Sequence, residues 1–280
     1  MSSDVADPAS GFRRLRIFCV ALLFTAAVFA RESVVFVGAH PDDSEGFAAT
    51  AFLLRDKYDL HVVDLTRGER GLGRAGMLDG STARIRVTEE QAACRFLGAT
   101  PHFLCETNGC CHASRLAAEM LMSILRELKP RAIFTHWPVD GHSDHVQAMA
   151  TVSFALDAFR REKWRAMSEP ELYFYEVVPG ETEQFPALYS VDVTKTMDLK
   201  TEMLRCYACQ NADDSLVRRK IAQAGVRGAE RLPPVRFAEV FTTFDGKRIP
   251  NGVLEGLPET ALAREGDSPR QVLEKQRAWP

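Results

Sequence analysis

Two clusters of metal-binding residue types stand about a hundred positions apart in this 280-residue chain. The first is His40-Pro41-Asp42-Asp43-Ser44-Glu45, directly after the apolar run Val34-Val35-Phe36-Val37-Gly38. The second is His142-Ser143-Asp144-His145, downstream of Ala132-Ile133-Phe134-Thr135-His136. Imidazole and carboxylate together suit a divalent ion such as zinc, which in catalytic sites takes three protein ligands and keeps one position for water. His40 and Asp43, three apart across a turn stiffened by Pro41, can converge on one ion. Asp42 then faces the open position, where a carboxylate can take a proton from water. With His145 as third ligand, His142 is free to stabilise an oxyanion or protonate a leaving amine. Asp144 would fix the orientation of a ring, and His136 reads as a supporting residue. The competing account of Asp42-Asp43 is helix capping, since Asp is favoured at such positions. The preceding histidine leaves that account incomplete. His61, His102 and His112 stand alone and are assigned no role.

For the clusters to meet, each must leave the carboxyl end of a strand in one open sheet, where α/β proteins bind their ligands. Short apolar runs predict strands over Val34–Gly38, Leu60–Thr66, His102–Leu104, Ala132–His136, Leu172–Val177 and Ser190–Val193. Helical spacing predicts helices over Glu45–Lys57, Ala83–Gly98, Ser114–Lys129, Asp144–Glu162 and Thr194–Gln210. In the third, Leu116, Met120, Ile124 and Leu128 recur every four residues, and Lys129-Pro130 stops the pattern. Alternating strands and helices imply a Rossmann-like α/β three-layer sandwich, one domain with a mostly parallel sheet covered on both faces. That domain is expected over residues 31–245. The polar, punctuated tail over 246–280, with Pro250, Gly252, Pro258 and Pro269, is expected to be a partly ordered extension.

The N-terminus has a basic start (Arg13, Arg14, Arg16), an apolar run from Ile17 to Phe29 and small residues up to Ala30, the pattern of a secretory signal peptide. The run falls short of the roughly 20 residues of a comfortable bilayer span. Residues 1–30 are therefore expected to be removed on export, with an uncleaved membrane anchor as the second reading. Export makes disulfides permissible among Cys94, Cys105, Cys110, Cys111, Cys206 and Cys209. A bridge within the Cys105–Cys111 loop is expected on this basis. Buried thiols acting as small apolar residues are the bland alternative, and Cys206-x-x-Cys209 would share one helical face. A net charge of −3 and the lack of a basic stripe give no case for nucleic acid.

One motif is a decoy. Gly71-Leu72-Gly73-Arg74-Ala75-Gly76 fits the G-x-G-x-x-G dinucleotide pattern, yet Arg67 to Arg70 separate it from the strand and Leu78-Asp79-Gly80 turn the chain before the next helix. The pattern works only when it leaves a strand directly and opens a helix. There is no G-x-S-x-G elbow for a serine nucleophile either.

Ala39 to Glu45 resembles the A-H-P-D-D-x-E signature of the LmbE-like, PIG-L deacetylase family. Thr135-His136-Trp137-Pro138 and His142-Ser143-Asp144-His145 resemble its second signature, with Ser143 in place of the usual proline. Further similarity lies at Thr66-Arg67-Gly68-Glu69, Arg86 with Glu89, Leu97-Gly98, Lys200, Gln210 and Ala238-Glu239-Val240-Phe241. Altogether it spans about Val34 to Phe244. The resemblance implies a zinc-dependent amidohydrolase of Rossmann-like fold that removes acetyl groups from N-acetylglucosamine-type sugars and their conjugates. It implies His40, Asp43 and His145 as metal ligands, Asp42 as general base, His142 as the oxyanion-stabilising or acid group, and Arg67 as a substrate contact. Gly46-Phe47-Ala48-Ala49-Thr50 replaces a glycine-rich run, which would reshape the pocket. The expected partner is a small N-acetylated sugar or glycoconjugate. A non-catalytic carbohydrate- or partner-binding module and a nucleotide-cofactor enzyme are the rival readings.

Overall fold

In the computed structural model, residues 31–71, 80–161, 169–178, 182–211 and 213–262 are described. Segment 1–30 and positions 72–79, which hold most of the G-x-G-x-x-G run, lie outside them, as does 263–280. Eight strands form one sheet: β1 (Ser33–Gly38), β2 (Asp59–Asp64), β3 (Ala99–Phe103), β4 (Ala132–His136), β5 (Glu171–Tyr175), β6 (Tyr189–Asp192), β7 (Ala238–Thr243) and β8 (Thr260–Leu262). Their order is β3-β2-β1-β4-β5-β7-β6-β8. The first five pair in parallel, whereas β7, β6 and β8 add antiparallel.

Strict alternation along the central strands creates two cores. Val34 and Phe36 of β1, Val62 of β2 and Phe134 of β4 face one layer, which holds α1 (Ala48–Leu54), α2 (Ser81–Leu97), α5 (Met197–Leu204) and α6 (Ser215–Glu230). Val35 and Val37, Val63 and Ile133 face the other, which holds α3 (Arg115–Leu128) and α4 (Ser143–Arg161). Strands buried on both faces read as continuous apolar runs, which is why β1 and β4 are so plain in the sequence.

The differences from expectation have local causes. The helix expected over Glu45–Lys57 is a 3-10 turn over Asp43–Gly46 followed by α1. The break falls at Phe47, whose ring is drawn into the core and stacks on Phe36 with centroids 4.1 Å apart. Such an aromatic pair is worth about 0.5–1.5 kcal/mol beyond its buried area. On α3 the buried stripe is Ala117, Leu121 and Leu125, while Leu116 is 58% exposed. A four-residue repeat drifts about 40° per step around a 3.6-residue helix, so the Leu116-to-Leu128 series leaves the core face at Leu116, while Met120, Ile124 and Leu128 pack along its edge. Helix α5 stops at Leu204, which puts Cys206 and Cys209 beyond it rather than on a shared helical face. Helix α6 and strands β7 and β8 are additional to the expected set. Between Phe244 and Leu262 the chain stays packed, with Val253, Leu254 and Leu257 in the core and β8 paired to β6. No described helix is long and apolar enough to cross a membrane.

Candidate active site

The strand order reverses between β1 and β4, and the two sequence clusters leave the carboxyl ends of those two strands. The turn after β1 is wound around Asp43. Its Oδ2 accepts hydrogen bonds from the backbone N–H of Ala39 (2.7 Å) and His40 (2.8 Å) and lies 3.0 Å from His136 Nε2. Oδ1 is left facing His145 Nε2 at 3.4 Å. His40 and His145 are each gripped on the far side of the ring. His40 Nε2 lies 3.0 Å from Asp144 Oδ2, leaving Nδ1 3.6 Å from Asp43 Oδ2. His145 Nδ1 lies 3.0 Å from Asp140 Oδ1, leaving Nε2 toward Asp43. Asp144 is itself fixed by the backbone N–H groups of Gly109 and Cys111, at 2.5 and 3.2 Å. A carboxylate behind each imidazole is the arrangement that orients histidine ligands to metals.

The electrostatics agree. Burial resists charging the His40 ring, but hydrogen bonds to Asp144 and Asp43 outweigh it and hold its pKa at about 9. His145, likewise buried, is held at about 10 by Asp43 and Asp140. Asp43 is buried too, yet the adjacent His145 and His136 keep it well below the usual carboxylate range. His136 is fully buried, and burial with the neighbouring His145 pushes it down to about 4. It is therefore a neutral ring, with Nε2 placed between the Ala39 backbone N–H at 3.2 Å and Asp43 Oδ2 at 3.0 Å, and with Nδ1 buried without a partner.

Do these residues fit a divalent ion? Two sets of three converge, His40 with His142 and His145, and Asp43 with His136 and His145, each offering ligand atoms within 4.8 Å of one another. Ligands about 2.0–2.1 Å from a tetrahedral zinc stand about 3.3 Å apart. The 3.4 Å between His145 Nε2 and Asp43 Oδ1 matches that spacing. The donor set is nitrogen and oxygen, partly anionic and buried, so it fits. The sequence-predicted ligands are divided between these sets, His40 in the first, Asp43 in the second and His145 in both, while Asp43 lies 3.6 Å from His40 Nδ1 and 3.4 Å from His145 Nε2.

Asp42 is placed differently from its neighbour. Its backbone φ is 110°, a left-handed value rare for a residue other than glycine. Strain of this kind costs on the order of 1–3 kcal/mol and persists where surroundings enforce it. The enforcing group is Arg86 of α2, 2% exposed, whose guanidinium holds both Asp42 oxygens (2.9 and 3.2 Å) and the Pro41 carbonyl. Burial raises the Asp42 pKa while Arg86 opposes it. Asp42 has no side-chain capping bond, so capping does not explain it. His142 is half-buried, and its Nδ1 accepts from the backbone N–H of Asp144 at 3.2 Å. The neutral ring therefore carries its proton on Nε2, ready to donate.

Other expectations fall elsewhere. Arg67 is exposed beyond β2, and no described bond or ion pair joins its side chain to the cluster. The six described cysteines are free, which corrects the expected Cys105–Cys111 bridge. Cys111 packs on the core and bonds to the Thr107 carbonyl, and Cys110 accepts from Arg70 Nη1 at 3.1 Å. His61 and His102, assigned no role, bond to each other at 3.1 Å on neighbouring strands. Asp140 is the residue that sequence reasoning passed over. Its only signal was a position two residues before His142, and its importance depends on reaching across to His145 and Thr182.

Residues 35–156 match the family model PIG-L, described as GlcNAc-PI de-N-acetylase. Among solved structures the fold is shared with the 4-carboxy-2-hydroxymuconate hydratase of Pseudomonas putida (23% identity, TM-score 0.68, 78% of this chain and 98% of that one). It is shared with a conserved protein of Thermus thermophilus (24%, TM-score 0.65, 79% and 99%). It is also shared with the N,N'-diacetylchitobiose deacetylase of Pyrococcus horikoshii (24%, TM-score 0.65, 77% and 84%).

Proposed function

We propose, from the premise that residues 35–156 form a PIG-L family domain, that the chain is a metal-dependent deacetylase of an N-acetylated amino sugar or related small amide. The observation that carries the reading is the convergence of His40, Asp43 and His145 beside a separately held Asp42. In this reading His40 Nδ1, Asp43 Oδ1 and His145 Nε2 hold a zinc ion. Such an ion, when bound, acidifies water and polarises an acyl carbonyl.

The chain's own groups supply the rest. Asp42 accepts the proton of the attacking water, its carboxylate aimed by Arg86 and kept apart from the ligand set. His142 donates a hydrogen bond from Nε2 to the oxyanion that develops on the acyl oxygen, and Asp42 passes the proton it took from water to the departing amine. Preorganised donors of this kind contribute most where charge appears only in the transition state. Asp144 and Asp140 keep the His40 and His145 rings from turning. Arg67, exposed just past β2, is in this reading a contact for the part of the substrate that extends away from the reacting amide. An intact ligand set and base favour this over a non-catalytic binding module.

The test is metal analysis of the purified full chain followed by free-amine release from a panel of N-acetylated sugars. Amine release that depends on zinc supports the reading. A zinc-loaded protein that releases no amine from any of them overturns it, and hydration of an unsaturated carboxylate instead would point to the chemistry named for the Pseudomonas putida relative. We further propose that residues 1–30 direct export, so that exported protein begins near Arg31; intact Met1 on cytosolic protein would refute this.

A further inference from the structure

The C-terminal part of the sheet carries a cluster of buried charge with no direct part in the chemistry. Glu45, Glu176 and Glu239 interleave with Lys200, Lys220 and Arg227 around a cavity of about 10 Å³, room for roughly one water. Among these groups Glu45 belongs to the metal-binding turn itself. Its backbone N–H bonds the Asp42 carbonyl at 2.9 Å, one step from the Asp43 N–H bond to the His40 carbonyl. Lys220, 2% exposed on α6, lies 3.1 Å from Glu45 Oε1. The same ammonium donates to the Val177 carbonyl, two residues past β5, and to Gln223 Oε1 at 3.1 Å, so its three protons are all used. The neighbouring wall is tight, because a side chain at Gly46 would meet Tyr175 Cδ2 at 2.7 Å and the Glu176 carbonyl at 2.9 Å. The turn therefore rests against β5 and is tied to the chain just past it through one ammonium.

We propose that Lys220 is a positioning residue for the metal-binding turn, acting through Glu45, so that α6 belongs to the active-site machinery although it lies outside residues 35–156. Removing one member of a buried pair leaves an uncompensated charge, and the penalty is largest where the remaining group cannot reach water. Glu45 is 7% exposed, and its Oε2 is already without a partner. Left without Lys220, its carboxylate gains by swinging outward, and the turn that carries Asp42 and Asp43 goes with it. The zinc-affinity part of this proposal rests on the deacetylase reading; the mechanical part does not.

The experiment uses the full chain as wild type, Lys220→Met and Lys220→Arg, and measures two quantities. One is amide hydrogen exchange in the metal-free protein, at 43–47 and in the reference strands β2 and β7. The expected result for Lys220→Met is exchange at 43–47 faster by on the order of a hundredfold, with the reference strands unchanged and Lys220→Arg partly rescued. The other is zinc affinity by competition with a chromophoric chelator, expected to fall about tenfold. Should Lys220→Met not fold, Lys220→Gln, which keeps a hydrogen-bond donor but leaves the Glu45 carboxylate without its counter-charge, is read in the same way. Unchanged protection at 43–47, or a uniform loss over the whole sheet, overturns the proposal. A wild type that binds no zinc sinks the deacetylase reading, and the exchange data still decide the role of Lys220.

Discussion

Asp140 offers the most direct test of how the site is built. Its carboxylate accepts from His142 N–H at 2.8 Å and Thr182 Oγ1 at 2.8 Å, and its Oδ1 lies 3.0 Å from His145 Nδ1. The side chain is 1% exposed, so no water replaces it without rearrangement. Asp140→Ala frees the His145 ring to rotate and deprives its Nδ1 proton of an acceptor. Loss of such a partner lowers metal affinity by about 10–100-fold, which is about 1.4–2.8 kcal/mol at 1.4 per decade. The same substitution loosens the backbone at His142, so amine release should fall even with saturating zinc. Asp140→Asn retains an acceptor oxygen for the ring and should lie between wild type and alanine. The assay is competitive zinc titration alongside amine release, with thermal unfolding as control. Zinc affinity within twofold of wild type in a folded Asp140→Ala protein would refute the idea that this carboxylate holds the ligand ring.

Four further outcomes are expected. Asp42→Asn should keep its metal and lose activity by about 10²–10⁴-fold, the usual share of a general base, whereas Asp43→Ala should lose metal and activity together; equal behaviour of the two in metal content would contradict their separate roles. Zinc affinity should rise with pH up to about 9–10, because His40 and His145 have pKa values held at about 9 and about 10 and must give up protons to bind a cation; affinity that is flat from pH 6 to 9 would count against them as ligands. Gly46→Ala should destabilise the fold by about 1–3 kcal/mol, since the new methyl meets Tyr175 and the Glu176 carbonyl, and chemical denaturation with an unchanged midpoint would show that the turn has slack. Thiol titration of unreduced, denatured protein starting at Arg31 should count six thiols, and four would restore a disulfide.

Local chemistry determined much of this protein. Continuous apolar runs buried on both faces announced β1, β2 and β4, and the dense His/Asp groups at two of their ends named the residues that meet. His40, Asp43 and His145 were legible because each lies within a few residues of a strand end and the parallel α/β topology sends such ends to one edge. What the sequence left open depends on pairs far apart in the chain. Helix α1 begins without a capping side chain of its own, and Glu239 supplies one, accepting from Ala49 N–H at 3.2 Å and Thr50 N–H at 2.7 Å. Arg86 finds Asp42, Asp140 finds Thr182, and Lys220 finds Glu45 only because sheet order and helix placement bring them together. No spacing rule reaches that far. The free cysteines make the same point: closeness in sequence suggested a bridge, but the loop spends its backbone N–H groups on Asp144, and the thiols of Cys110 and Cys111 turn to Arg70 and the Thr107 carbonyl. The identity of the chemical groups was written locally, and their orientation was decided by tertiary structure, because a buried charge takes its geometry from whichever partner the fold delivers to it.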